Sequence, residues 1–183
     1  MSTFEYMSVM HSIVLALGIA RVLGGLADMV RHWPRLEAKW SFLCWLLLLL
    51  ALHMGWWFGL WARFSSMTDI HLTTFVAWFM VPASFYVACR LLIPDFDHDT
   101  LPDLQRRFDD VRIPFFFCFV VATLPVFPEL LDGPQSQWLM AVFGASALLG
   151  VFTSSRNWQY ALQGIMTVTY LSFLALARTA LVG

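Results

Sequence analysis

WSFLCWLLLLLALHMGWWFGLW, residues 40–61, decides the fold. It carries no formal charge, and at about 1.5 Å of rise per residue a helix of this length crosses the roughly 30 Å of a bilayer's hydrocarbon. Its apolar side chains recur all the way round a helical wheel, so it has no face for water. Only a fully buried or lipid-embedded helix fits. Reading outward, runs of the same character cover about residues 4–30, 40–64, 70–93, 113–131, 137–154 and 158–182. Backbone polar groups cannot be left bare in oil, so such runs must be helices. Composition agrees: of 183 residues, 60% are hydrophobic and 13% charged, where soluble domains carry about 25% charged residues. The expected fold is all-α: one transmembrane helical domain over residues 1–183, a polytopic bundle of about six spans.

The connections set the orientation. Arg31, Arg35, Lys39, Arg90, Arg106, Arg107, Arg112 and Arg156 fall in the first, third and fifth connections, whereas Arg63 and Arg178 fall on the other side with Glu5, Asp69, Glu129 and Asp132. Loops rich in Lys and Arg stay in the cytoplasm, which places both termini outside, in the periplasm for a bacterial inner (cytoplasmic) membrane. Trp33, Trp40 and Trp158 then form an inner aromatic belt and Trp56, Trp57, Trp61 and Trp138 an outer one. Met1-Ser2-Thr3-Phe4-Glu5 offers no Lys or Arg ahead of the first apolar run, so that helix is expected to be retained rather than cleaved. A net charge of -1 supplies no field for nucleic acid. Cys44, Cys89 and Cys118 lie inside apolar runs and read as small buried hydrophobes, with no disulfide or metal site.

Phe4-Glu5-Tyr6, Ser8-Val9, Gly18-Ile19-Ala20-Arg21 and Trp56-Trp57-Phe58-Gly59-Leu60-Trp61, with Leu92-Ile93-Pro94-Asp95, Asp103-Leu104 and Arg106-Arg107, form a recognisable pattern. It resembles a group of short, uncharacterised bacterial integral membrane proteins that open with a Phe-Glu-Tyr helix and carry a Trp-Trp motif in the second span. The resemblance covers the first two thirds of the chain. It implies the membrane class and a bacterial source, and no substrate, cofactor or catalytic residue.

Charged groups inside a bilayer cost about 3 kcal/mol each on insertion scales, so they are the natural functional candidates. His11, Gly18, Arg21, Gly25 and Asp28 share one face of the first span, while Ser12, Ala16 and Ala20 form a small-residue face that would let another helix approach. Arg21 either lines a polar path or pairs with Asp28 near the inner interface. His11 and His53 fall at comparable depth; they are either satisfied core histidines or axial ligands of a haem. Gln159, Gln163, Thr167 and Tyr170 make a polar stripe on the sixth span, which either lines a hydrated path or bonds to neighbouring helices. Lys39, the only lysine, lies in a connection, which excludes a retinal Schiff base within the bundle.

In the third connection Asp95, Asp97 and Asp99 alternate as in a calcium loop, but Thr100 and Arg106 stand where an EF-hand needs Gly and Glu. Beyond it, Thr100-Leu101-Pro102-Asp103 can cap a short amphipathic helix with Leu101, Leu104, Phe108 and Val111 on one side. That helix is expected on the membrane surface between the third and fourth spans, with Arg106 and Arg107 against lipid headgroups.

No nucleophile with its base and no phosphate-cradling glycine loop is visible, so catalysis is not expected. Three functions follow. The first is a homo-oligomeric channel or transporter-like protein for ions or small polar solutes, lined by Arg21, Asp28, His11 and the sixth-span stripe. The second is an accessory or structural subunit of a larger membrane complex. The third is a haem- or quinone-binding redox subunit; no resident cofactor is expected under the first two.

Overall fold

The computed structural model describes residues 3–64, 71–95, 103–125 and 136–182. Six α-helices make up almost all of them: α1 Thr3–His32, α2 Lys39–Phe64, α3 Leu72–Leu92, α4 Leu104–Thr123, α5 Ser136–Phe152 and α6 Arg156–Val182. A short 3-10 turn, Trp33–Arg35, holds Pro34 between the first two. Among the described residues three stretches are long and apolar enough to cross a membrane: Glu5–Arg35, Lys39–Trp61 and Leu72–Leu92. The apolar part of α5 is shorter, and α4 opens on charged turns holding Arg106, Arg107, Asp109, Asp110 and Arg112.

Local chemistry sets the ends. Ile93 leaves α3 with an extended backbone at φ -83° and ψ 111°, as a residue before proline must, because Pro94 crowds the helical conformation. Asp103 caps α4, its side chain accepting the Arg106 backbone N–H at 3.0 Å. Here the expectation of a separate surface helix is corrected: Leu104–Thr123 is one continuous helix. Leu104, Phe108, Val111, Phe115, Phe119 and Ala122 are all buried and follow a single helical stripe, so nothing in the packing calls for a break. Pro114 deprives only the Asp110 carbonyl of its donor, and both residues are exposed, where water or headgroups can serve instead.

The helices form a closed ring in the order α2, α1, α3, α4, α5, α6 and back to α2, and α2 also touches α3. Along α1, Met7, His11, Leu15, Gly18, Val22, Gly25 and Met29 are buried, a seam of three- and four-residue steps that keeps one face on its neighbours. The glycines on that seam permit contact. A side chain at Gly25 would meet Ile93 Cγ2 at 2.8 Å, and one at Gly18 would overlap the His53 ring.

Aromatic rings fill the middle of the ring of helices. Trp45 reaches from α2 to stack on Phe108 and Phe119 at 5.9 and 6.1 Å, and meets Phe115 and Phe116 edge-on at 4.9 and 5.6 Å. Phe119 continues to Phe143, and Phe143 to Tyr170. Edge-to-face and offset contacts of this kind suit the ring quadrupoles. Trp40, Trp57, Trp61, Trp138 and Trp158 point outward at the two ends, as aromatic belts require.

Candidate functional site

The polar residues singled out in the sequence do not converge on one site; they divide among three places. The first is the α1–α2–α3 junction, which holds both histidines. His11 and His53 are fully buried. The Nδ1 of His11 lies 2.8 Å from the Met7 carbonyl and that of His53 2.7 Å from the Leu49 carbonyl. A carbonyl only accepts, so Nδ1 carries the proton in both and Nε2 is left as a bare acceptor. Neither Nε2 has a hydrogen-bond partner.

An imidazole oriented this way has the electronic form of an axial ligand. The space around His53 does not fit that role. A Cβ on Gly18 would lie 2.6 Å from His53 Cδ2 and closer still to Nε2, so the α1 backbone sits where an iron would have to be. His11 is enclosed instead by the edge-on rings of Phe75 and Phe79 at 5.8 and 5.5 Å. Among the described residues no three His, Cys, Asp or Glu side chains gather as a metal site.

The second place is the end of α3. Arg21 donates to the Ile93 carbonyl and to the Asp95 carboxylate, each at 2.8 Å, so its partner is Asp95 and not Asp28. This corrects the expected pairing, for a physical reason: a helix cut off by Pro94 exposes carbonyls that a guanidinium can cap, whereas Asp28 lies two turns along α1. Arg107 donates from Nε to the Leu91 carbonyl at 3.1 Å; it is half-buried, and only Arg106 is exposed as expected for a headgroup contact. Arg112 caps α5 in the same way through the carbonyls of Gly150, Val151 and Thr153.

The hydrogen bond from Arg21 holds the Asp95 carboxyl below the usual carboxylate range, with the charges of Arg90 and Arg107 acting in the same sense. A carboxyl whose pKa is depressed on folding stabilises the fold above its unfolded value and loses that contribution as pH falls through the folded one. The wild type is therefore expected to lose thermal stability in detergent below about pH 4. In Arg21→Ala that acid step should shrink, and the neutral-pH cost should be about 1–2 kcal/mol, chiefly from the half-buried bond to Ile93. Parallel melting curves from pH 7 to 3 measure both.

The third place is the α2–α6 seam. Ser41 Oγ donates to Gln163 Oε1 at 2.9 Å and Gln163 Nε2 returns a bond to the Ser41 carbonyl at 2.7 Å. Tyr170 donates to the Ala51 carbonyl at 3.2 Å, its hydroxyl set against Gly55. Thr167 bonds back to the Gln163 carbonyl at 2.8 Å, and Gln159 approaches the Ser154 carbonyl at 3.5 Å. Gln163 and Tyr170 thus bond α6 to α2, while Thr167 and Gln159 bond locally. At the Ser41 end of the seam lie a narrow cavity of about 10 Å³, bounded by Trp45, Phe108, Gln105 and Gln159, and a wider groove of about 470 Å³ over Leu36, Lys39, Trp40, Cys44, Tyr160 and Gln163. The narrow one barely admits a water.

On the small-residue face of α1, Ala16 and Ala20 are exposed among the described residues, and Ser12 bonds to the Ser8 carbonyl at 2.6 Å. Cys44 is also exposed, which corrects its reading as a buried hydrophobe; Cys89 and Cys118 are buried. Asp97 and Asp99 lie outside the described residues. The sequence reading passed over Asp95 as a partner of Arg21, over Arg112 as a cap, and over the fit of His53 to Gly18. Pro94 was the available signal for the first, since it ends a helix and leaves carbonyls open. No family model matches this chain, and searches of characterised proteins and of solved structures found none similar to it.

Proposed function

We propose that the protein is an accessory subunit of a larger assembly in a bacterial inner membrane, a six-span bundle that acts through its outer surface and conducts nothing through its centre. The observation that carries this reading is the aromatic filling. Trp45, Phe108, Phe115, Phe116 and Phe119 occupy the middle of the ring of helices, where a channel lined by its own helices would need polar groups and space. The polar residues support it too, because Gln163, Tyr170 and Arg21 are engaged in helix pairing and capping. Exposed Ile13, Leu17, Ala16 and Ala20 on α1 leave a smooth apolar face on which another helix can lie.

The six-span layout draws support from the alternation of helix direction: Ser41 meets Gln163, Arg107 meets the end of α3, and Arg112 meets the end of α5, all at one end. Arg31, Arg35, Lys39, Arg90 and Arg156 belong to that same end, the cytoplasmic one under the positive-inside rule.

Two measurements test the proposal. Affinity purification in mild detergent is expected to bring down a defined larger membrane partner, and the isolated protein in liposomes is expected to pass neither K⁺, Cl⁻ nor small polar solutes. A self-assembled ring with a central opening, or a flux abolished by Arg21→Ala, overturns it in favour of the conducting reading.

A further inference from the structure

We propose that the groove at the inner end of the α2–α6 seam is a binding site for one anionic glycerophospholipid of the surrounding bilayer. The inference rests on the membrane embedding of α2 and not on the accessory role. Its floor is apolar: Leu36, Ala38, Trp40 and the exposed thiol of Cys44 line about 470 Å³. Leu47 on α2 and Ile165 and Val168 on α6 are exposed beyond it, so the groove continues onto the faces that meet acyl chains. A cavity of this lining opening sideways into lipid is filled by a chain, since water finds few partners there.

The mouth selects the headgroup. Lys39 is the charged side chain lining the groove. It is fixed in place, its ammonium donating to the Trp33 carbonyl at 3.3 Å and lying 5.2 Å from the Trp33 ring centre. Trp40 packs edge-on to that same ring at 5.1 Å, so Trp33, Lys39 and Trp40 form one unit at the interface. Tyr160, whose hydroxyl donates to Gln105 Oε1 at 3.3 Å, and Ser41 and Gln163, bonded to each other, close the polar wall. A lysine on this wall favours a phosphate without a cation of its own and disfavours the quaternary ammonium of a choline lipid, which it would meet with like charge. Ala38, where the groove adjoins the narrow cavity, holds φ at 52°. A side-chain-bearing residue occupies that region at a cost, so the wall of the groove is set by the surrounding structure rather than by local preference.

Cys44 provides the readout, because Cys89 and Cys118 are buried. The full-length protein is reconstituted in nanodiscs of phosphatidylcholine alone or with a third phosphatidylglycerol, and Cys44 is alkylated with a neutral, membrane-permeant maleimide. Alkylation is expected to be at least fivefold slower with phosphatidylglycerol, and native mass spectrometry should show one retained phosphatidylglycerol. Lys39→Ala should remove most of the protection while surface potential is unchanged, which separates a site from a general effect of the charged bilayer; Trp40→Ala serves if Lys39→Ala fails to fold. Equal rates in the two bilayers, protection that survives in the variant, or equal protection by inorganic phosphate in phosphatidylcholine would each overturn the proposal.

Discussion

Trp45→Ala is expected to destabilise the protein by about 3 kcal/mol, the low end of the range for truncating a buried aromatic to alanine. The low end applies because the separated helices would still lie in lipid, so the loss is one of packing more than of transfer from water. Trp45 is 2% exposed and touches Phe108, Phe115, Phe116 and Phe119. No small side chain can replace those contacts, and the rings around it belong to one helix and cannot all close on the void. Thermal unfolding in a mild detergent, followed by tryptophan emission and by aggregation, measures the effect. A shift no larger than that of a surface change such as Trp158→Ala would mean that the middle of the bundle is not packed as described. The variant also bears on function: ion flux in liposomes from Trp45→Ala, absent in the wild type, would mark the aromatic filling as a gate and not as a core.

Gly18→Ala is the second change with a large expected effect, a loss of about 1–3 kcal/mol from overpacking. The added methyl would lie 2.6 Å from His53 Cδ2, and the ring has little freedom to retreat, being bonded to the Leu49 carbonyl and set against Phe85. The helices α1 and α2 would have to separate. Removing the ring should restore the fit, so the double variant Gly18→Ala with His53→Ala is expected to be more stable than the sum of the single changes by about 0.5–3 kcal/mol. A strictly additive double-mutant cycle would show that the two residues do not meet. Gly24, by contrast, has nothing within 4 Å of a built side chain; Gly24→Ala should be neutral or slightly stabilising through helix propensity, and it serves as the control.

The two glycines illustrate where sequence reading reaches and where it stops. Gly18 and Gly25 stand seven residues apart, and His11 stands seven before Gly18, so their common face on α1 was legible from helical period alone. Which side chains would press into the gaps was not, because His53 and Ile93 come from other helices and no local rule links them to α1. Arg21 followed the same pattern. Its cost in lipid announced that it must have a partner, and Asp28 on the same helix was the partner within sight. Asp95 came within reach only because α3 ends at Leu92 with Ile93 set against Gly25, a matter of how two helices are offset.

The helical nature of the described residues, and of the three helices among them that are long and apolar enough to cross a membrane, was decided by the sequence itself, since uninterrupted greasy runs leave the backbone no partner except its own next turn. The helix ends at Pro94 and Asp103 belong with these, being local consequences of a missing conformation and of a capping carboxylate. Tertiary structure alone decided what the polar side chains do. Gln163 could have faced water or Ser41, and Cys44 lipid or core, with the same period along the helix. The choice depends on which face each helix turns to its neighbour, a sum of many small packing contacts between residues far apart in the chain.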